Sequence, residues 1–430
     1  MYKSLRVLIG FAILCLAHAT QAQNIGNTPY SRYGLGEYNS NLGNIRNAGM
    51  AGVGVSAGNS YQANTANPAL LYYNSITVFD IGVAGQVKNI KSNTGKQTDG
   101  NANLYNLTLA VPVSKRWSSA VGLRPYSVVN YDARSSSGLD SNPRATIQQQ
   151  YSGEGGLSEV YFGHGVKIAD GLTIGGSASY IFGAITKESA SVVQDDSLSG
   201  IGTEKVVYNE RIRYDSFLFR AGANYRKKIT ENYYLSAGAV YGFGTDMDAE
   251  RKASYERRTI SDNIIDDNIL PDSSQSNVTI PSSLRAGLTL DNGKNLTIGA
   301  DFYTQKWSEF RSFSGESELG DSYRVAFAAE YTPNANSIDN FFERVTYRAG
   351  LYYGDTPYIS KGETITDKGI TAGFTMPLGR STIYDLYQLN AAFGYGQRGT
   401  TDNNLIAENY FQFSVGFTVN SRWFIKRRID

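Results

Sequence analysis

Residues 410–419 alternate strictly between two kinds of side chain. Phe411, Phe413, Val415, Phe417 and Val419 share one parity; Tyr410, Gln412, Ser414, Gly416 and Thr418 share the other. Successive side chains of a β-strand point to opposite faces, so this stretch makes a strand with one large apolar face and one small polar face. The division recurs along the chain. Leu172, Ile174, Ala178, Tyr180 and Phe182 oppose Thr173, Gly175, Ser177 and Ser179. Leu296, Ile298, Ala300 and Phe302 oppose Thr297, Gly299, Asp301 and Tyr303. Val325, Phe327, Ala329 and Tyr331 oppose Arg324, Ala326 and Glu330, and Val345, Tyr347, Ala349 and Leu351 oppose Thr346, Arg348 and Gly350. A chain patterned this way is all-β and needs apolar surroundings for one face and polar ones for the other. A soluble sandwich and a membrane barrel both meet that condition.

The spacing between strands separates the two. Fourteen strands are predicted, near residues 76–90, 104–112, 118–131, 157–168, 172–187, 207–227, 233–248, 279–291, 296–310, 322–332, 344–354, 368–378, 384–397 and 408–419. Long connections (91–103, 132–156, 188–206, 249–278, 311–321, 355–367 and 398–407) alternate with short ones such as Ser114-Lys115-Arg116, Asp170-Gly171, Asn292-Gly293-Lys294 and Gly379-Arg380-Ser381. The 333–343 turn is the long member of the short set. Long loops on one side and tight turns on the other are the pattern of a fourteen-stranded antiparallel transmembrane β-barrel of the outer membrane. An even strand count returns both termini to the periplasmic side, and closure removes the unpaired edge that lipid cannot satisfy.

Composition narrows the function classes. Lys+Arg number 40 against 39 Asp+Glu, a balance that speaks against nucleic acid as a partner. Tyr is abundant, at 31 residues, and suits a surface that is apolar in the middle and wet at its rims. The N-terminus has the physics of a signal for Sec-dependent export: Lys3 and Arg6, an apolar core from Val7 to Ala17, then Thr20-Gln21-Ala22. Cleavage is expected after Ala22. That core is too short to span a membrane as a helix. The one cysteine, Cys15, lies inside it and follows Leu14, where lipoprotein processing needs a small residue, so no lipid anchor is expected. The mature chain would carry no thiol, disulfide or cysteine-ligated metal.

Residues 24–74 differ in texture. They are rich in Gly, Asn, Ser and Ala, carry only Arg32, Glu37 and Arg46 as charges, and hold Tyr30, Tyr33, Tyr38, Tyr61, Tyr72 and Tyr73. Low charge with many aromatics argues against a disordered tail, and the glycines argue against a long helix. A plug folded into the lumen is expected. The divisions are therefore 1–22 signal peptide, 23–75 plug, 76–419 barrel and 420–430 periplasmic tail.

Asn47-Ala48-Gly49-Met50-Ala51-Gly52-Val53 followed by Asn67-Pro68-Ala69-Leu70 resembles the FadL-type hydrophobic-compound transporters of Gram-negative outer membranes. Trp307-Ser308 at the top of the ninth strand is similar to that family's Trp-Ser, and Arg348-Ala349-Gly350 with Tyr352-Tyr353 is similar to one of its late strands. The resemblance implies an N-terminal hatch in a fourteen-stranded barrel, coupling of hatch to wall at Asn67, Pro68 and Ala69, and a kinked third strand with a lateral exit, which Pro125 would mark. Where the family has a more acidic stretch before its Asn-Pro-Ala, this chain has Ser56-Ala57-Gly58-Asn59-Ser60. The ending, Trp423-Phe424 with Lys426-Arg427-Arg428, resembles a Bacteroidetes-type branch, which is also similar to the PorV-like barrels of type IX secretion.

Each candidate has a plainer counterpart. Pro125 lies within a strand, where proline cannot donate to the ladder, so it marks either a functional kink or a bulge near the rim. Asn67-Pro68 is either a hatch coupling or an ordinary turn. Arg124, Arg220, Arg285, Arg324 and Arg348 fall on the polar parity with Lys167, Asp80, Glu159, Asp301 and Glu330. They are candidate contacts for an acidic headgroup, or they are structural ion pairs of a wet lumen, and the second is the expectation for most. His164 shares parity with Val160, Phe162 and Val166, which points it at lipid or near the turn-side interface; a lone histidine is more often structural, and the weakest alternative is an embedded hydrolase using Ser158 or Ser177 on neighbouring strands. Asp262, Asp266, Asp267 and Asp272 lie in one loop without the spacing of a calcium motif. No phosphate-binding loop, dinucleotide fingerprint, zinc-ligand spacing or catalytic triad is present. The expectation is a non-enzyme without cofactor or metal, inserted in the outer membrane in contact with its lipid. It would pass hydrophobic, fatty-acid-like small molecules by hatch rearrangement and sideways exit. The alternative is a barrel that engages a protein partner at its extracellular loops.

Overall fold

The computed structural model describes residues 27–93, 95–139, 142–195, 204–317, 319–379 and 385–422. The expected signal peptide with Cys15, the Gly379 turn beyond its first residue, and the ending from Trp423 onward lie outside the described residues.

One sheet contains β1 (Glu37–Tyr38), β2 (Thr77–Ser92), β3 (Gly95–Ser114), β4 (Trp117–Leu139), β5 (Asn142–Ala169), β6 (Leu172–Asp195), β7 (Glu204–Lys228), β8 (Tyr234–Gly242), β9 (Thr245–Thr259), β10 (Ile264–Ile280), β11 (Ser283–Asp291), β12 (Leu296–Gln305), β13 (Ser322–Tyr331), β14 (Thr346–Ser360), β15 (Glu363–Gly379), β16 (Leu386–Arg398) and β17 (Ala407–Ser421). β8 and β9 are two halves of one wall strand, as are β10 and β11, and β1 lies on the inner side of β4. The wall is therefore a fourteen-stranded antiparallel barrel, closed where Val415 of β17 pairs with Val83 of β2.

The alternation sets which way each strand faces. Ile174, Tyr180, Phe182, Ile298, Phe327, Leu351, Phe411 and Phe413 all present exposed apolar side chains outward. Ser414, Thr418, Thr173 and Ser179 on the other parity are buried within. All fourteen expected strands are present, but the expected loops 132–156, 188–206 and 249–278 are largely strand. β5 alone has 28 residues, whereas about ten suffice to cross the bilayer. Above the lipid nothing imposes an apolar face, so the ladder continues through Ser, Gln and Arg with no hydrophobic period to betray it. Expected loop 398–407 does hold a short turn, Asp402–Asn404, whereas the turn Trp307–Glu309 falls inside the expected strand 296–310, whose ladder ends at Gln305. β17 extends through Ser421, two residues into the stretch expected to be tail.

Candidate binding site

Residues 27–74 descend along the inner face of the wall. At the top, the Thr28 amide donates to Asn130 O (2.7 Å) and β1 pairs Glu37 with Val128 and Tyr38 with Ser127. Below, a single helical turn, Ile45–Ala48, is capped by Asn44, whose side chain accepts from the Asn47 amide. From there the segment lies on wall glycines. A Cβ on Gly350 would fall 2.8 Å from the Met50 carbonyl carbon, and one on Gly175 would fall 2.4 Å from the Ala69 amide nitrogen. The small residues of the polar parity are thus the seat for a second layer of backbone.

Asn67, Pro68 and Ala69 sit at the bottom of this descent. Asn67 caps the turn Pro68–Tyr73, accepting from the Ala69 amide (3.0 Å). Its amide group also donates to Val55 O (2.8 Å) and to Ala223 O of the wall (3.1 Å). The turn and the wall contact coexist in one side chain.

Three carboxylates fasten the segment or brace the wall. Glu330 takes Arg46 in bidentate fashion (2.8 and 2.9 Å) and Arg348 at 2.5 Å. Glu159, fully buried, lies between Arg124 (3.0 Å to each oxygen) and Arg220. Arg124 also donates to Leu42 O (2.5 Å). Glu37 joins Lys88 (2.9 Å) and Arg398 (2.7 Å). Of the five arginines singled out from the sequence, Arg124, Arg220 and Arg348 are thus committed to structural ion pairs.

Arg285 and Arg324 are not. Among the described residues neither has a carboxylate within ion-pair distance. Arg285 lies over the Tyr303 ring (4.2 Å) and Arg324 over the Tyr352 ring (3.8 Å), with Ser40 Oγ and Ala51 O at 3.5 and 3.4 Å from the latter guanidinium. Two adjoining cavities meet at Arg324, and Arg285 lines the first of them. The first, of 130 Å³, is walled by Tyr38, Tyr126, Leu218, Tyr303 and Trp307 and is reached by both arginines. The second, of 240 Å³, holds Arg324, Asn101, Asn103, Tyr105, Gln412 and the Pro125 backbone region. A third pocket of 30 Å³ touches both arginines beside Asp301. Asp301 itself is turned to the inner segment, accepting from the Gly54 (2.7 Å) and Val55 (2.9 Å) amides. Trp307 was singled out by resemblance; Tyr303, Tyr352 and the latch residues Arg46 and Glu37 were not singled out as site residues. The signal for the latches was present, because a charge in a nearly uncharged segment needs a partner once buried.

Above the cavities the barrel mouth is filled. Tyr30 stacks on Tyr358 (5.8 Å between centroids), Tyr38 packs on Trp307 (4.1 Å), and Leu35, Ile181, Ile185, Ile212 and Phe310 complete an apolar core.

Pro125 sits at a break in the wall's regularity. Its register with Ser158 is followed by a one-residue shift at Tyr126, a bulge. On the other side of β4, pairing with β3 runs only from Ser114/Trp117 up to Leu107/Leu123. Above that level β3 and β4 part. The inner segment takes the edge that β4 leaves, and the second cavity lies behind the parting, touching Leu104 and Tyr105 on one side and Pro125, Ser127 and Val128 on the other.

His164 faces outward between Trp117 and Phe162. Its Nδ1 accepts from Trp117 Nε1 (3.1 Å) and is 2.8 Å from Ser119 Oγ. Ser158 and Ser177, the serines that the hydrolase alternative would need, pair with Phe182 and Gly163 instead, and no carboxylate bonds the ring among the described residues. The four aspartates do not gather. Asp262 pairs with Lys205 and Arg258, and Asp272 with Arg251 (2.6 Å), on a β9–β10 hairpin rather than in a loop.

The fold places the chain among fourteen-stranded barrels of the outer-membrane type. The family model described as BamG matches residues 1–430, and the chain belongs to the BamG family. Among solved structures it is similar to a Pseudomonas aeruginosa FadL homologue (14% identity, 90% of this chain and 100% of that one, TM-score 0.60). It is likewise similar to the P. putida toluene transporter TodX (16%, 90% and 100%, TM-score 0.57) and to the CymD monoaromatic hydrocarbon channel (15%, 91% and 99%, TM-score 0.55). These neighbours are channels rather than enzymes. No curated protein matches the chain.

Proposed function

We propose that the protein passes hydrophobic small molecules bearing an acidic head, fatty-acid-like in shape, across or out of the outer membrane without an energy source. The observation that carries this is the pair Arg285 and Arg324: two guanidiniums without carboxylate partners among the described residues, both lining the aromatic-walled first cavity, with Arg324 at its junction with the second. A guanidinium receives a carboxylate through two parallel hydrogen bonds, and the low dielectric strengthens the pairing. A 130 Å³ space is close to the roughly 150 Å³ that admits one benzene-sized group, so an alkyl end or ring fits there. The ligand would leave past the parting of β3 and β4 near Pro125, after the inner segment yields the β4 edge. The solved neighbours for toluene and monoaromatic hydrocarbons support the apolar half of this reading and not the acidic half. The test is native mass spectrometry of protein extracted in mild detergent, with hexadecanoic acid and hexadecanol offered in turn. Retention of the acid about tenfold better than the alcohol is expected; equal retention would remove the role of the arginines.

A second reading has its own observation. β4 to β7 with β9 and β10 stand as a tall sheet above the apolar band, and β4 above Asp132 and most of β10 have no strand partner on their outer side among the described residues. Such edges accept an added strand, which suits a barrel that engages a protein at its extracellular side, as PorV-like barrels do. A stoichiometric protein in the same native spectra, with no small ligand, would select it.

A further inference from the structure

The wall is interrupted at a second place, five strands further round from the parting at Pro125. β8 ends at Gly242 and β9 begins at Thr245; β10 ends at Ile280 and β11 begins at Ser283. Gly242 pairs with Ser283 and Thr245 with Ile280 in one unbroken register. Phe243-Gly244 and Pro281-Ser282 therefore face each other at one level, and both strands lapse there together. Pro281 has no N–H to offer, and the Phe243 amide is turned to the other neighbour, donating to Phe219 O (3.0 Å). From inside, Gln305 Nε2 donates to Pro281 O (2.8 Å), supplying a bond that the ladder does not. The residue at closest approach is glycine: a Cβ on Gly244 would lie 3.1 Å from Ile280 O.

The seam has a defined depth and something behind it. Beneath it on the outer surface are exposed Tyr241 and Leu284; Phe219 stands level with Phe243, Phe217 lies just higher beside Thr245, and exposed Asp246, Asp248 and Arg213 follow. It lies where the apolar band gives way to polar surface on the extracellular side, the level of the outer-leaflet headgroups. Behind it is the first cavity, whose lining includes Gly242, Phe243, Pro281 and Ser283. Arg285 is the next inward-facing residue below Ser283. Phe243 stands half-exposed at the seam, edge-on to Tyr241 (5.0 Å).

We propose that this seam is a doorway from the outer leaflet into the first cavity, with Phe243 as its shutter, through which an amphiphile with an acidic head enters head-first to reach Arg285 and then Arg324. The aromatic core filling the mouth makes a sideways entry the short route to these arginines. The proposal rests on the ligand reading above and adds the point of entry.

The test uses a cysteine pair across the seam, Phe243→Cys with Ser282→Cys, and a control pair in the intact ladder below, Ala237→Cys with Leu288→Cys, which are register partners. The full-length protein is placed in phosphatidylcholine vesicles containing a diazirine-bearing hexadecanoic acid and illuminated. Labelling of the 296–311 peptide, which holds Tyr303 and Trp307, is followed over time by mass spectrometry. The oxidised seam pair should label at least tenfold more slowly than wild type. Its reduced form, lacking the shutter, should label faster than wild type, and the oxidised control should match wild type. An oxidised seam pair that labels at the wild-type rate overturns the doorway while leaving the ligand reading standing. Absence of cavity labelling in wild type itself overturns both.

Discussion

Glu330 and Arg324 lie on the same inward face of β13 yet do different work. Glu330 holds Arg46 of the inner segment and Arg348 of β14 together, and all three are shielded from solvent. Removing one member of a buried ion cluster leaves the others charged and unpaired, at a cost of about 3–5 kcal/mol. Glu330→Ala is expected to lose about that much in urea unfolding followed by tryptophan fluorescence, while Arg324→Ala, which breaks no ion pair, should lose under about 1 kcal/mol. The same two variants should reverse their order in binding. Hexadecanoic acid affinity is expected to fall about tenfold, or 1.4 kcal/mol, in Arg324→Ala and in Arg285→Ala. If Arg324→Ala destabilises as much as Glu330→Ala and leaves affinity intact, Arg324 is structural. The sequence shows that these arginines point inward, because parity is a local property. It does not show which carboxylate each meets, because Arg46 reaches Glu330 across 284 residues of chain. The pairing exists only once the barrel is closed.

Among the elements, β4 carries the irregularity at which the proposed exit lies. The bulge at Tyr126 follows from Pro125, which cannot donate, and leaves one residue of β4 without a counterpart on β5. Deleting Tyr126 aligns Ser127 with Leu157 in the register that Arg124 and Glu159 already share. That variant should straighten β4 and slow release of a preloaded labelled fatty acid into acceptor vesicles by several-fold; because Tyr126 also walls the first cavity, the rate is read relative to the amount of ligand bound. Unchanged release would remove the exit from this strand. Proline within an alternating run made this irregularity legible from sequence alone; the matching lapse at Gly244 and Pro281 was not, because it becomes visible only when two strands are set in register. The β9–β10 hairpin was also hidden, since its ladder is made of polar and charged residues. Its tip is pinned by Asp262, whose carboxyl is held below its ordinary 3.8 by hydrogen bonding to Lys205, aided by Arg258. A depressed carboxylate contributes stability above its unfolded value, and that contribution is lost as pH falls through the folded one. Backbone amides near Asn263 should therefore keep their hydrogen-exchange protection at neutral pH and lose it below about pH 4, once intrinsic exchange is corrected for; Asp262→Asn should show the loosened state at every pH.

At the scale of the whole molecule, the inner segment divides into two parts with different freedom. From Ile45 to Tyr73 its backbone rests on wall glycines at van der Waals distance, so moving it would open gaps along several strands at once. From Thr28 to Asn39 it is held by the β4 edge, with two paired residues in β1, by aromatic contacts and by the single Glu37 carboxylate on Lys88 and Arg398. Passage that requires the inner segment to rearrange should therefore need only the upper part to move. Two disulfides separate the possibilities. Val53→Cys with Gly299→Cys ties the seated part to β12, where the Val53 side chain already lies 2.9 Å from a Gly299 Cβ position. Tyr38→Cys with Ser127→Cys ties the upper part to β4. Release of a preloaded fatty acid should continue at close to the wild-type rate with the first closed and should stop with the second closed, returning on reduction. If the first lock stops release, the glycine seat is not a fixed floor and the lower segment is itself the gate.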